Sequence, residues 1–440
     1  MDLVIGLIVF MVAMIVSMAL GYSMLIGLAV GMVAFGLVAY HRGFKIKDIC
    51  GMAASGVKDS VVVIEVMAII GLITAVWRAS GTIAFFVDLG VQVITPPLFL
   101  IIAYLLSLLL SYALGTSFGV AATVGVIFMA LAKSGGVDEA LTAGVIMSGI
   151  YFGDRGAPVS SSAVLVAACT KTQLIDNVKM MMKTCIVPLA ITLAIYCVFS
   201  VLNPIQQVDV SVLDALHQGF VLSWWEIVPA IVMLVLPFLG VSIMWSMTAS
   251  IVTGAIIAFA IQKMPFLVFL KTLILGYDVN GALGKIINGG GLISMAEVIG
   301  IIILSSTFSG IFSGTKMLES VLGKIEELIM KIGRFPVSII ISILSVMVFC
   351  NQTIATMINA DLLLEPYEKT GGTKEELAID MENTVILISG VVPWALACSV
   401  PLTFMGADYG AMKYAFFMYL VPICYLFMKK KWYNTERKRA

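Results

Sequence analysis

The stretch Ser148-Gly149-Ile150-Tyr151-Phe152-Gly153-Asp154-Arg155-Gly156-Ala157-Pro158-Val159-Ser160-Ser161-Ser162 reads as an apolar helix that runs into two adjacent charges and then breaks. Glycines and Pro158 interrupt the helical hydrogen-bond ladder and release backbone carbonyls. Inside a membrane such groups have to line protein or a watery cavity. One carboxylate, released carbonyls and three serine hydroxyls make an oxygen-rich set, the donor chemistry of a hard cation such as sodium. The bland alternative is that Asp154 pairs with Arg155 at a helix end, but neighbours in sequence do not face each other on a helix.

That reading presupposes a membrane, and the composition supplies it. The chain has 440 residues, 61% hydrophobic and 12% charged. A soluble domain carries about 25% charged residues. A soluble enzyme, a nucleic-acid binder and a disordered chain are thereby excluded, leaving an all-α polytopic membrane protein. At about 20 residues per span, the apolar runs predict about 12–14 helical segments. Seven cysteines without a C-x-x-C pair read as packing residues, and His41 and His217 stand too far apart to suggest a histidine metal site. No cofactor is expected.

Basic loops set the orientation. Lys429, Lys430, Lys431, Arg437, Lys438 and Arg439 put the C-terminus in the cytoplasm, and Arg42, Lys45 and Lys47 do the same for the second loop. From Thr184 to Gln262 there is no Lys or Arg, so the central loop faces outside. The expectation is a multi-pass plasma-membrane protein with both termini cytoplasmic. An inside N-terminus, an outside centre and an inside C-terminus give two inverted halves: 1–203, an external loop at 204–225, and 226–440.

Sequence matches support the duplication. Glu65-Val66-Met67-Ala68-Ile69-Ile70 resembles Glu297-Val298-Ile299-Gly300-Ile301-Ile302. Lys133-Ser134-Gly135-Gly136 recurs as Lys369-Thr370-Gly371-Gly372, and the same offset lays Gly115-Thr116-Ser117 over Asn351-Gln352-Thr353. Broken helices are expected at about 115–170 and 351–407, where Gly, Pro, Ser and Thr concentrate and apolar runs are short. Stretches near 44–59, 263–273 and 316–334 read as amphipathic interfacial helices.

Charges within apolar runs are costly, so the few present are candidates. Besides Asp154 they include Glu382, Glu65, Glu297, Asp361 and Arg78. Glu382 is the second half's nearest counterpart to the Asp154 region, although Glu375, Glu376 and Asp380 also allow a wet helix start with Glu382 as its last solvated residue. Glu65 and Glu297 each open an apolar run, where an interfacial place is as natural as a buried one; Asp361 suits capping or gating as well as ligation. Thr116, Ser117, Thr123, Ser160, Ser161, Asn351, Thr353 and Thr384 supply hydroxyl or amide oxygens beside the breaks, a capped helix start being the bland reading of each.

Gly115-Thr116-Ser117-Phe118-Gly119, then Thr123-Val124-Gly125, then Tyr151-Phe152-Gly153-Asp154 with Pro158, and later Gly289-Gly290-Gly291 and Glu382, Thr384 with Pro393-Trp394, resemble the NhaC-type sodium/proton antiporter family. Family members often carry an Asp after the Ser-Pro-x-Ser turn and an Asn after Pro-Trp, where this chain has Ser161-Ser162 and Ala395. The resemblance implies inverted repeats with re-entrant hairpins, a homodimer, and exchange of sodium ions for protons. Asp154 is then expected to bind either ion in turn, with sodium also at Thr116, Asn351 and Thr353. The alternative is a sodium- or proton-coupled transporter or exchanger of a small organic acid or amino acid, to which the departures from the family pattern lend room. The expected partners are the transported ions, that small solute, and the lipid bilayer; no nucleic acid and no enzymatic activity are expected.

Overall fold

The structure, a computed structural model, describes residues 2–93, 96–158, 160–205, 210–315 and 322–437. Among the described residues it is all-helical, the only extended pairing being a single bridge between Tyr277 and Gly289. Five helices among the described residues are long and apolar enough to cross a membrane: Met24–His41, Pro96–Leu114, Ser117–Ser134, Leu174–Leu202 and Leu292–Phe312. Ile64–Ala79 and Thr82–Leu89, bent by 63° at their junction, form a sixth candidate when counted together. Many of the remaining segments are short, and so the helices outnumber the 12–14 read from the sequence.

The chain opens with α1 (Asp2–Ala19), α2 (Met24–His41), α3 (Ile46–Asp59), α4 (Val61–Ala79) and α5 (Thr82–Val93). It continues through α6 (Phe99–Leu114), α7 (Ser117–Val120), α8 (Val126–Ser134), α9 (Glu139–Gly156), α10 (Ser161–Thr170) and α11 (Leu174–Leu202). Across the centre lie α12 (Val210–Gly219), α13 (Val228–Phe238), α14 (Ile243–Ala260), α15 (Phe266–Leu275) and α16 (Ala282–Ile287). The second half carries α17 (Ala296–Thr315), α18 (Leu322–Ile332), α19 (Arg334–Phe349), α20 (Gln352–Lys369), α21 (Lys374–Glu382), α22 (Val385–Ser389), α23 (Leu396–Met405) and α24 (Phe416–Arg437).

Two packing groups emerge. One joins α1–α4 to α13, α14, α15 and α17; the other joins α6–α11 to α19–α24. In the first, Gly56 of α3 meets α17 backbone to backbone: a Cβ there would lie 2.0 Å from the Ser306 carbonyl oxygen. Ser60 and Ser306 hydroxyls share a 2.5 Å hydrogen bond beside it. The lysines at 45, 47 and 58 stay exposed. The amphipathic segment expected over 44–59 thus docks one small-residue edge on a span and leaves its charged face outside. The segment expected over 263–273 is α15, and that over 316–334 is represented by α18, residues 316–321 lying outside the described residues.

In the second group the helix boundaries repeat. α6 and α19, α9 and α21, and α10 and α23 begin 235 residues apart, and α8 and α20 end at that same spacing. Left-handed residues recur with it: Gly115 (φ 66°) and Cys350 (φ 56°), Gly136 (φ 66°) and Gly371 (φ 76°), Lys171 (φ 56°) and Gly406 (φ 63°). The backbone register is one residue shorter than the offset of the sequence matches. It pairs Thr116 with Asn351, both N-caps, and Ser117 with Gln352. It also corrects one reading: the residue in the place of Asp154 is Ser389, and Glu382 falls opposite Met147. Breaks differ between the copies. α9 runs unbroken to Gly156, whereas its counterpart splits at Asn383 and Thr384 into α21 and α22. Ser117–Ser134, expected to be short, continues through a π-turn at Ala121–Gly125 and is long enough to span.

Candidate ion site

Asp154 occupies the last turn of α9, and glycine puts it there. A Cβ on Gly149 would lie 2.7 Å from the Ser107 Cβ, and one on Gly153 would lie 2.0 Å from the Ser111 carbonyl carbon. Only bare backbone lets α9 lie this close to α6. The Ser111 hydroxyl, donating to the Ile150 carbonyl, pins the crossing. After Gly156 the chain turns through Pro158, and Ser160 caps α10, accepting from the amides of Ser162 (3.1 Å) and Ala163 (3.3 Å) while donating to the Asp154 carbonyl.

The Asp154 side chain, 4% exposed, accepts two hydrogen bonds. Ser162 Oγ donates to Oδ1 at 3.2 Å, and Gln352 Nε2 donates to Oδ2 at 3.1 Å. Gln352 Nε2 also reaches Ser162 Oγ at 3.2 Å. The three side chains close a ring built from both halves, at the place where the N-termini of α10 and α20 pack together. Amide groups and the positive ends of two helices favour a negative charge there. The centre is therefore a buried carboxyl group held by one hydroxyl and one amide, side chains that also carry oxygen atoms.

Ser162, one of the three serines in the broken stretch, and Gln352, inside the matched Asn351-Gln352-Thr353, are the partners absent from the numbered candidates. Ser162 is half-buried where Ser160 is buried and Ser161 exposed, and Gln352 is an amide one position past a cap. The other expected oxygens are placed as follows. Thr116 and Asn351 cap their own helices, accepting from Gly119 N (3.3 Å) and from Thr353 N (2.9 Å) and Ile354 N (3.3 Å). Thr123 turns back onto the Gly119 carbonyl at 2.8 Å. Ser161 and Thr353 are exposed beside the ring. Ser117 is buried against Tyr151, whose hydroxyl donates to the Ala397 carbonyl at 2.6 Å. In the 235-residue register Ser117, Ser389 and Ala397 are the counterparts of Gln352, Asp154 and Ser162. These positions carry no charge, and Tyr151 packs beside them.

The remaining charges sort by burial. Glu65, Glu297 and Asp361 are exposed, Glu297 accepting from Ser23 Oγ at 2.6 Å. Glu382 and Asp380 are fully buried, so the wet helix start read from their acidic neighbours does not hold. Asp380 accepts from Tyr367 (2.8 Å), Tyr425 (2.9 Å) and Lys429, which also pairs with Glu376 at 2.8 Å. Thr384, at the α21–α22 break, bonds Ser338 and Ser342, and Ser342 bonds Asn359 at 3.0 Å, a neutral cluster apart from the Asp154 ring. Arg155 points the other way from its neighbour: Nε donates to Asn383 Oδ1 at 3.0 Å, and Nη2 donates to the Met181 carbonyl (3.2 Å) and Thr184 Oγ1 (2.9 Å). The reading that pairs Asp154 with Arg155 thus finds no contact.

Comparison with known proteins bears on this centre. The chain is 26% identical over 439 residues to the Na(+)/H(+) antiporter NhaC of Bacillus subtilis, covering 96% of each chain. It is 24% identical over 367 residues to the malate-2H(+)/Na(+)-lactate antiporter of the same organism, covering 82% of this chain and 78% of that one. It is also 24% identical over 361 residues to the arginine/ornithine antiporter ArcD of Halobacterium salinarum, covering 77% and 73%. The profile of the Na+/H+ antiporter family matches residues 149–429, which hold Asp154, Ser162, Gln352 and Glu382. On that match, over more than half its length, the chain belongs to the Na+/H+ antiporter family.

Proposed function

We propose that the protein is a secondary antiporter that exchanges sodium for protons, with Asp154 as the sodium-binding carboxylate. The observation that carries this reading is the Asp154–Ser162–Gln352 ring, which is buried, charged and contributed by both halves. A carboxylate in a membrane interior is neutralised by a cation or a proton before it can change sides. Sodium fills the ring on one leg, with Ser162 Oγ and the amide oxygen of Gln352 turned toward it. A proton neutralises the core on the return leg.

The same reading takes the two halves as inverted repeats across a plasma membrane, with both termini cytoplasmic. The 235-residue register and the paired caps support the duplication, and the basic loops support the orientation. The breaks at 157–160 and 390–395 then mark discontinuous helices at the midplane. The chain works as a homodimer in this view, on its resemblance to the family.

Purified protein in vesicles tests the assignment. Asp154→Asn is expected to abolish sodium-driven proton flux, and flux at the parent rate in that variant would refute it. Two relatives bear names of organic-solute exchangers, which favours a second reading in which a small organic acid or amino acid is cargo. Lactate, malate, arginine or ornithine that accelerates sodium flux in the same vesicles would move the assignment to that reading.

A further inference from the structure

Asp154 and Glu382 are two buried carboxyl groups with opposite surroundings. Asp154 accepts from two side chains and sits at two helix N-termini. Glu382 is 0% exposed, and neither of its oxygens has a hydrogen-bond partner. The Nδ2 of Asn383, next in sequence, is buried and unpartnered as well. Three orphaned polar atoms therefore belong to the two successive residues at which α21 breaks. Two acids whose environments favour different charge states divide acid and base roles between them. Donors hold an ionised group, and their absence suits a group that carries its own proton.

Arg155 ties these two places together. Its guanidinium is anchored to α11 by Met181 and Thr184 and to the α21 break by Asn383, while its backbone neighbour is Asp154. No ion pair joins it to Glu382 among the described residues. The charged groups that bear on Glu382 are Arg155 and Asp154 of α9. Asp380 and Glu376 of its own helix are taken up by Lys429, and Arg334 of α19 pairs with Glu376 at 3.0 Å.

We propose that the exchanged proton rides on Glu382, separately from the sodium on Asp154, with Arg155 as the fixed charge that couples them. This rests on the reading of Asp154 as the sodium centre. With sodium absent, ionised Asp154, Arg155 and protonated Glu382 sum to zero charge. With sodium bound, the core stays neutral only when Glu382 ionises: its O–H bond breaks, the electron pair stays on the carboxylate, and the proton passes to water. Sodium with protonated Glu382 leaves one positive charge buried, and empty Asp154 with ionised Glu382 leaves one negative charge. Both are costly in a dry interior, so the neutral pair of states is the transported pair. Sodium entry and proton exit become a single event without the two ions sharing a ligand.

Sodium binding to the purified protein, followed by thermal shift across pH, tests this. In the parent, affinity is expected to rise about tenfold per pH unit, since one proton leaves for each sodium bound. Glu382→Gln is expected to bind sodium with a nearly flat pH profile and to lose proton flux. A variant that keeps the parent's tenfold slope overturns the proposal. Glu382→Asp provides a second test through the sodium-induced infrared difference spectrum. The band of the protonated carboxyl lost on sodium binding should shift in frequency in this variant, and an unshifted band overturns the proposal. Loss of sodium binding in Asp154→Asn together with an unchanged slope in Glu382→Gln would refute this inference alone, whereas unimpaired exchange in Asp154→Asn would refute the function it rests on.

Discussion

Gln352 offers a quantitative test of the ring. Its amide is, among the described residues, the only second-half group bonded to Asp154, at 3.1 Å, and it also bonds Ser162 at 3.2 Å. A hydrogen bond to a charged group contributes about 1.5–3 kcal/mol. Gln352 is partly exposed, so water replaces some of what is lost and the lower end applies. Gln352→Ala takes that bond, roughly 1.5–2 kcal/mol, from the sodium-free ring and an amide-oxygen ligand from the loaded one. An oxygen on a desolvated cation holds more strongly than a donor on a carboxylate, so half-saturating sodium should rise, by at most roughly 10- to 30-fold. The assay is sodium-driven proton flux in vesicles at fixed pH, with a sodium titration for parent and variant. Half-saturation should move, and because the bond to Asp154 is present without sodium, the melting temperature without sodium should fall slightly as well. Equal half-saturation in a folded variant would refute the ring as the sodium site, because a group donating to the carboxylate cannot be silent there.

Two further substitutions address the supports of the site. Gly153→Ala places a methyl carbon 2.0 Å from the Ser111 carbonyl carbon and 2.2 Å from Tyr112 N; overpacking of about 1–3 kcal/mol should lower the melting temperature and depress transport. Gly156→Ala, which meets nothing within 4 Å, is its control and should be close to neutral in both measurements. Lys429→Met leaves Asp380 buried without its cation and should cost about 3–5 kcal/mol, read as a lower melting temperature in detergent, with Asp380→Asn added to the same chain restoring part of the loss.

The breaks and caps were legible because their signals are local. Pro158 and the serines after it announce the turn into α10, and Thr116 and Asn351 are residue types that cap helices. Ser162 and Gln352 were not legible, since what makes them partners is the crossing of α10 with α20, a contact between residues 190 positions apart. Glu382 misled because its acidic neighbours suggest water, whereas Lys429 and Arg334 arrive from distant helices to pair with them. The repeat was visible, yet its sequence matches slipped by one residue. Backbone geometry fixes the register through left-handed turns, and at Gly115 and Cys350 these turns are made by different residue types.

The glycine contact between α6 and α9 has a mechanical consequence. Where backbone lies on backbone, no layer of side chains can shear, and α9 cannot slide along α6 without lifting off it. The carboxylate is thus bolted to a plate at least two helices thick, and its exposure cannot alternate by a local shuffle of its own helix. Any travel has to be taken up at other seams, such as those where α17 meets α19 and α23. A joint of backbone on backbone thus lies next to Asp154, and travel is left to the contacts between the two packing groups.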